Sequence, residues 1–369
     1  GEDALATLQA FRDMGVVIEG PERGRVRVHG VGLHGLKPAP GPLYVGNSGT
    51  SMRLLSGILS AQPFDTVMTG DASLAKRPME RIAKPLRLMG ADIQTTGERG
   101  TPPVSVHGVT TAAKGGLKGI HYDMPVASAQ VKSGVLLAGL WADGETSVTE
   151  PAPTRDHTER MLKGFGYEVK VQGATATLRG GGKLTATKID VPSDISSAAF
   201  FLVAASIAPN SDLTLEHVGI NPTRVGVINI LKAMGGNLEV FNEREIGGEP
   251  VADIRVRSAQ LKGINIPEDQ VPLAIDEFPA LFIAAACAEG TTVLTGAEEL
   301  RVKESDRIQV MADGLAILGI SAQPTPDGIV IQGGQLGSGE VVSHGDHRIA
   351  MSFSMAGLRA SGPIVIRDC

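Results

Sequence analysis

The sequence predicts an α/β protein of two domains, each assembled from copies of one helix-and-strand unit. Three observations predict it. A pattern of apolar helix end, glycine and β-branched run recurs five times. Helices rich in Ala, Ser and Gly alternate with that pattern, each running into a Thr/Val-rich strand. The chain has 369 residues, more than the ~250–300 at which a single hydrophobic core stops growing.

The first pattern begins at Phe11-Arg12-Asp13-Met14-Gly15-Val16-Val17-Ile18 and returns at Leu86 to Ile93, Met161 to Tyr167, Leu231 to Leu238 and Leu315 to Ile320. Its glycine suits a helix C-terminus, which favours a residue able to take a positive φ. The glycines at 15, 90, 166, 235 and 319 are 75, 76, 69 and 84 residues apart, a spacing that favours true repeats. The second pattern comprises Leu54–Leu59, Ser133–Leu140, Phe200–Ile207, Leu281–Ala288 and Met351–Leu358. Helices of such small residues pack closely and are expected inside a bundle. The Gly180-Gly181-Gly182 turn and a strand into Val191-Pro192 divide the chain into domains 1–190 and 191–369. The last small-residue helix is followed by the strand Ile364-Val365-Ile366 and then by the chain end, and the opening has no matching first half-unit. About one repeat, divided between the two ends, is therefore expected to be missing.

Composition narrows the function. Lys+Arg number 34 against Asp+Glu 40, a net charge of −6, and aromatics make up only 4%, which argues against nucleic acid as the main partner. Hydrophobic residues at 42% exclude disorder, and no apolar run approaches the ~18 residues of a membrane span. Two cysteines, Cys287 and Cys369, make no disulfide framework and fit a reducing cytoplasm.

Five polar clusters fall at the starts of helices, where backbone N–H groups and the helix dipole favour anions. Gly46-Asn47-Ser48-Gly49-Thr50-Ser51-Met52-Arg53 offers glycines, hydroxyls and an arginine but not the Gly-Lys-Ser/Thr ending of a Walker A loop. Ser128-Ala129-Gln130-Val131-Lys132-Ser133 places Ser128 as an N-cap. Asp71 to Arg81 is expected to enter a helix at Pro78. In Arg301-Val302-Lys303-Glu304-Ser305-Asp306-Arg307, a helix would set Lys303 and Arg307 on one face, although five charges in seven positions commonly mark a solvated surface. His344-Gly345-Asp346-His347-Arg348 is too cramped for joint ligation, and no metal is expected there. Asp276 precedes Phe278-Pro279-Ala280-Leu281, where capping is its plain role. If Asp276 and Glu304 face one site, an acid and a base are available for proton transfer.

Taken in order, Gly46 to Arg53, Lys76-Arg77-Pro78, Ser128-Ala129-Gln130, Asp276-Glu277-Phe278-Pro279, Arg301 to Arg307 and Asp346-His347-Arg348-Ile349-Ala350-Met351 resemble the 5-enolpyruvylshikimate-3-phosphate synthase family. The match spans essentially the whole chain. It implies the two-domain enolpyruvyl transferase fold, an inside-out α/β barrel in each domain built from βαβαββ units. It implies transfer of the enolpyruvyl group of phosphoenolpyruvate to the 5-hydroxyl of shikimate 3-phosphate, with release of phosphate and with no metal or organic cofactor. By the same resemblance Ser128, Ala129, Gln130, Arg155, Asp276 and Lys303 bind shikimate 3-phosphate, and Gly49, Arg77, Gln130, Arg307 and Arg348 bind phosphoenolpyruvate. Asp276 would take the 5-hydroxyl proton and Glu304 would handle the proton at the phosphoenolpyruvate methylene.

The two substrates together carry roughly −5 to −6 charges, which suits cations concentrated locally in an acidic protein. A soluble cytoplasmic monomer, or a segment of a fusion protein, is expected. The family's opening Pro-Gly-Asp-Lys-Ser-type segment has no counterpart here, so weak or absent activity is expected of this stretch alone. The rivals are the sister enolpyruvyl transferase acting on UDP-N-acetylglucosamine and a non-catalytic binding segment. The sister enzyme's loop cysteine is missing from Asp71–Arg81, and Cys287 sits in an apolar helix.

Overall fold

A computed structural model describes residues 1–109 and 116–369, which form two compact units, Gly1–Lys188 and Ile189–Cys369. The first opens with α1 (Glu2–Asp13) and the antiparallel hairpin β1 (Val17–Glu22) and β2 (Arg25–His29). Next come β3 (Leu43–Tyr44), α2 (Gly49–Leu59), β4 (Thr66–Thr69), α3 (Glu80–Leu88), β5 (Asp92–Thr95) and β6 (Val104–His107), with sheet order β3-β4-β6-β5. The pattern repeats as β7 (His121–Asp123), α4 (Ala129–Gly139), β8 (Glu145–Thr149), α5 (His157–Gly164), β9 (Val169–Gln172) and β10 (Thr175–Arg179), with order β7-β8-β10-β9. The first pair in each sheet is parallel and the last strand runs back antiparallel between its neighbours, which is a βαβαββ unit.

The second unit carries the same plan. It runs α6 (Ile195–Ile207), β11 (Asp212–Gly219), α7 (Gly226–Ala233), β12 (Asn237–Ile246) and β13 (Glu249–Arg257), then α8 (Val271–Ala274), α9 (Phe278–Ala286), β14 (Thr291–Leu294), α10 (Arg307–Ile317), β15 (Ser321–Thr325) and β16 (Gly328–Gln332). The sheet orders are β11-β13-β12 and β14-β16-β15. Parallel bridges Ser193–Val218 and Asn265–Val293 stand where the leading strand of each repeat belongs. A closing β17 (Gly339–Val342), α11 (His347–Ala356) and β18 (Ile364–Arg367) has β17 parallel to β18, the order of the first half of a repeat.

Helix character follows the two sequence patterns. All nine residues of α9 and eleven of the thirteen in α6 are buried, so these helices have no polar face and must lie inside. Close approach explains their small residues. A Cβ on Gly57 of α2 would stand 2.0 Å from the Gly134 carbonyl oxygen of α4, a contact no side chain tolerates. The other helices are half-buried and end at the repeat glycines, with φ of 87° at Gly15, 99° at Gly90, 80° at Gly166, 89° at Gly235 and 81° at Gly319. Each unit has its own core, around Met52, Leu86, Val135 and Val148 in the first and Leu202, Phe278, Leu315 and Phe353 in the second.

Three sequence expectations need correction. Residues 183–192 form no strand: they find no ladder partner, and Val191 is 76% exposed. Pro78 lies outside α3, which starts at Glu80. Its carbonyl accepts from Arg53 instead of opening a helix, and the Met79 N–H donates to Gly100. Lys303 and Arg307 share no helix, because a short 3-10 turn ends at Val302, Lys303 is extended, and α10 begins only at Arg307.

Candidate active site

In the second unit the charged run 301–307 turns inward. Arg307 is the first residue of α10, and its side chain is 1% exposed, so it is the opposite of a solvated surface cation. Its Nε donates to Asp346 Oδ2 at 2.8 Å, its Nη2 donates to Glu304 Oε2 at 2.6 Å, and its Nη1 lies 3.6 Å from Asp276 Oδ1. Lys303 Nζ stands 3.6 Å from the same Asp276 oxygen and 2.7 Å from Glu299. Asp276 therefore does not cap α9: it sits in a 3-10 turn before that helix, facing two cations. Arg348, at the start of α11, donates through Nη1 to the Asp276 carbonyl at 3.1 Å, which ties the turn to that helix. Asp346 caps α11 by accepting the Arg348 N–H. Burial alone would raise its carboxyl, but Arg307, the Ser305 hydroxyl and the Arg348 N–H together hold it below the usual carboxylate range.

Glu277, the neighbour of Asp276, behaves in the opposite way. Burial, reinforced by the Asp276 charge, pushes its carboxyl above the ordinary 4.5, against the Ser196 hydroxyl bond and the Arg224 and Arg348 charges. The folded protein holds this proton more tightly than the unfolded chain does, so the contribution is complete at low pH and stability declines as pH rises above the ordinary value. Glu277→Gln is expected to be at least as stable as the parent at about pH 8, with the advantage vanishing toward about pH 4. Thermal unfolding across that range measures it, and a Gln variant less stable at the alkaline end would contradict it.

In the first unit two helix N-termini carry the polar residues. Ser48 caps α2 by accepting from Ser51 N, and Ser128 caps α4 by accepting from Val131 N. Gln130 joins the two poles, donating to Thr50 Oγ1 at 2.8 Å and accepting from Arg53 Nη1 at 2.5 Å. Arg77 Nη2 donates to Asn47 Oδ1 at 3.0 Å, while Asn47 donates to Asp71. Gly49 lies beneath these guanidinium groups: a Cβ there would meet Arg53 Nη1 at 3.0 Å and Arg77 Nη1 at 3.4 Å. Burial together with Arg77 and Arg81 pulls the Arg53 guanidinium down to about 10. Crowded cations beside free helix N–H groups make a site that an anion would relieve. Arg155 lies half-buried just before α5, in the segment leading from β8.

The structure thus gathers Asp276, Lys303, Glu304, Arg307 and Arg348 in the second unit, and Gly49, Arg77, Ala129 and Gln130 with Ser128 at the joined poles of the first. Sequence reasoning missed Asp346 as the partner of Arg307, because 39 positions separate them. It also gave no role to Lys132, although a lysine within an apolar helix was a visible signal.

Helix N-termini beside clustered arginines, on repeated βαβαββ units, are the arrangement that the resemblance to an enolpyruvyl transferase implies. Among the described residues no helix is long and apolar enough to cross a membrane. Residues 1–369 match the family model described as EPSP synthase (3-phosphoshikimate 1-carboxyvinyltransferase), and the chain belongs to that family. Similar relatives include the 3-phosphoshikimate 1-carboxyvinyltransferases of Methylococcus capsulatus, 68% identical over 100% of this chain and 83% of the relative, and of Nitrosococcus oceani, 66% identical over 100% and 82%. A solved EPSP synthase from Acinetobacter baumannii superposes with a TM-score of 0.90 at 72% identity, covering 100% of this chain and 84% of that one. These names are those of the shikimate enzyme and not of the nucleotide-sugar transferase.

Proposed function

We propose that this chain performs the family reaction, moving the enolpyruvyl group of phosphoenolpyruvate onto the 5-hydroxyl of shikimate 3-phosphate and releasing phosphate. The observation that carries the reading is Arg307, one buried guanidinium within reach of both Asp276 and Glu304. An acid and a base that share a cation are held near one another and near any anion it attracts. In this reading Asp276 accepts the proton of the 5-hydroxyl as its oxygen attacks the central carbon of phosphoenolpyruvate. Glu304 supplies a proton to the methylene carbon, making that central carbon electrophilic, and takes one back from the resulting methyl group as the C–O bond to phosphate breaks. Lys303 and Arg307 each stand 3.6 Å from Asp276 Oδ1 and orient it. Ser128, Ala129, Gln130, Arg155 and Lys303 take shikimate 3-phosphate, and Gly49, Arg77, Gln130, Arg307 and Arg348 take phosphoenolpyruvate.

A monomeric cytoplasmic enzyme belongs to the same reading, and the free Cys287 and Cys369 suit a reducing compartment. The two compact units, Gly1–Lys188 and Ile189–Cys369, support the division into domains 1–190 and 191–369. Phosphate release from phosphoenolpyruvate tests the function: it is expected only when shikimate 3-phosphate is added, and release driven instead by UDP-N-acetylglucosamine would overturn it. Gly49→Ala adds a methyl group against Arg53 and Arg77, so the KM for phosphoenolpyruvate is expected to rise about tenfold. Steady-state kinetics with each substrate varied in turn would reveal it, and an unchanged KM would remove Gly49 from the site.

A further inference from the structure

Beneath the first turn of α4 lies a buried ion cluster that the reaction itself does not use. The Lys132 side chain is 2% exposed, and its ammonium meets two carboxylates, Glu159 of α5 at 2.8 Å and Glu150, which follows β8. Those carboxylates are themselves only 5% and 10% exposed. Such a cluster is a poor way to gain stability, because taking three ions from water costs about as much as their attraction returns. Glu159 Oε2 moreover has no hydrogen-bond partner. Its connections point to positioning. Glu150 accepts the Thr154 N–H at 2.7 Å through Oε2 and the Thr154 hydroxyl at 3.2 Å through Oε1. Just beyond, the Thr158 hydroxyl donates to Ser133 of α4 at 2.7 Å. Arg155 therefore sits between two anchors, Thr154 and Thr158, both tied to the adjacent α4 residues Lys132 and Ser133. Lys132 lies one turn after Ser128, and its N–H donates to the Ser128 carbonyl.

We propose that the Lys132–Glu150–Glu159 cluster, with the Thr158–Ser133 bond, is a positioning device that fixes the distance between Arg155 and the α4 pole formed by Ser128 and Gln130. The inference rests on the reading above, in which these three residues hold shikimate 3-phosphate. Two arms that grip one small anion must be set at a fixed separation before it arrives, and a rigid cross-link lowers the ordering cost of binding. Of the residues proposed for phosphoenolpyruvate only Gln130 stands on this pole, whereas Ser128, Ala129, Gln130 and Arg155 all grip shikimate 3-phosphate, so loosening the device should weaken the grip on shikimate 3-phosphate more than that on phosphoenolpyruvate.

The test is steady-state kinetics of the enzyme with each substrate varied in turn. Glu150→Gln is expected to raise the KM for shikimate 3-phosphate about tenfold, with kcat and the KM for phosphoenolpyruvate changed less than about threefold. In an Arg155→Gln background the same change is expected to add little, because residues acting through one contact are not additive. Thr158→Val removes the second anchor without burying a lone charge. It is expected to move the same KM about two- to threefold, and it decides the matter should Glu150→Gln fail to fold by circular dichroism. A rise in both KM values alike, or a full Glu150→Gln effect in the Arg155→Gln background, would overturn the positioning role. If Arg155→Gln raises the KM for shikimate 3-phosphate while Glu150→Gln and Thr158→Val leave it unmoved, only the positioning role falls. If Arg155→Gln itself leaves that KM unmoved, the assignment of Arg155 falls and the device with it.

Discussion

Asp276→Asn is expected to lower kcat by about a hundredfold or more, the scale of a lost general base. The substitution keeps the shape of the side chain and leaves untouched the backbone carbonyl that accepts from Arg348. Its two cations retain other partners, Lys303 with Glu299 and Arg307 with Glu304 and Asp346. The fold should therefore survive, with KM for either substrate shifting only a few-fold. Single-turnover kinetics, combined with a thermal melt of the variant, separates the chemical step from damage to the protein. A variant turning over within about threefold of the parent would mean that Asp276 is not the base.

Arg307→Met is expected to cost about 3–5 kcal/mol of stability and to abolish turnover. The loss is large because Asp346, fully buried, would keep the Ser305 hydroxyl and the Arg348 N–H but lose its only cation in that set of contacts. The pH dependence follows from the depressed Asp346 carboxyl. Its contribution is present above the ordinary carboxylate range and disappears as pH falls through the folded value. The gap between parent and variant should thus be widest near neutrality and shrink in acid. Urea unfolding at about pH 7 and about pH 4 measures both quantities. A loss below about 1 kcal/mol at neutrality would show that the buried pair is replaceable by apolar packing, an outcome known for some buried ion pairs.

Much of the fold was legible because its signals are local. A glycine after an apolar helix end marks a left-handed C-terminus wherever it occurs, and Gly15, Gly90, Gly166, Gly235 and Gly319 all adopt it. Helices without a polar residue face, such as Phe278–Ala286, have nowhere to lie except inside. Strand order was not legible: nothing in Val104–His107 says that it inserts between Thr66–Thr69 and Asp92–Thr95. The stretch to Val191 looked like a strand by composition and is none, since a strand exists only when a neighbour supplies its ladder. Of the candidate site, the motifs named the residues, but the run Arg301–Arg307 read equally well as solvated surface. Its partner Asp346 was hidden within a His-rich loop.

By itself, then, the amino-acid sequence determined the periodicity, the buried helices, the cap at Ser128, and the motifs that point to the enolpyruvyl transferase chemistry. All of these depend on residues within a few positions of one another. Only the tertiary structure decided which charges meet. Arg307 reaches Asp346 across 39 residues, Arg348 reaches the Asp276 carbonyl across 72, and Lys132 finds Glu150 across 18. Electrostatic and hydrogen-bonding energies fall steeply with distance through space and are indifferent to distance along the chain. A buried arginine and a solvated one can therefore share the same local sequence, and packing alone separates them.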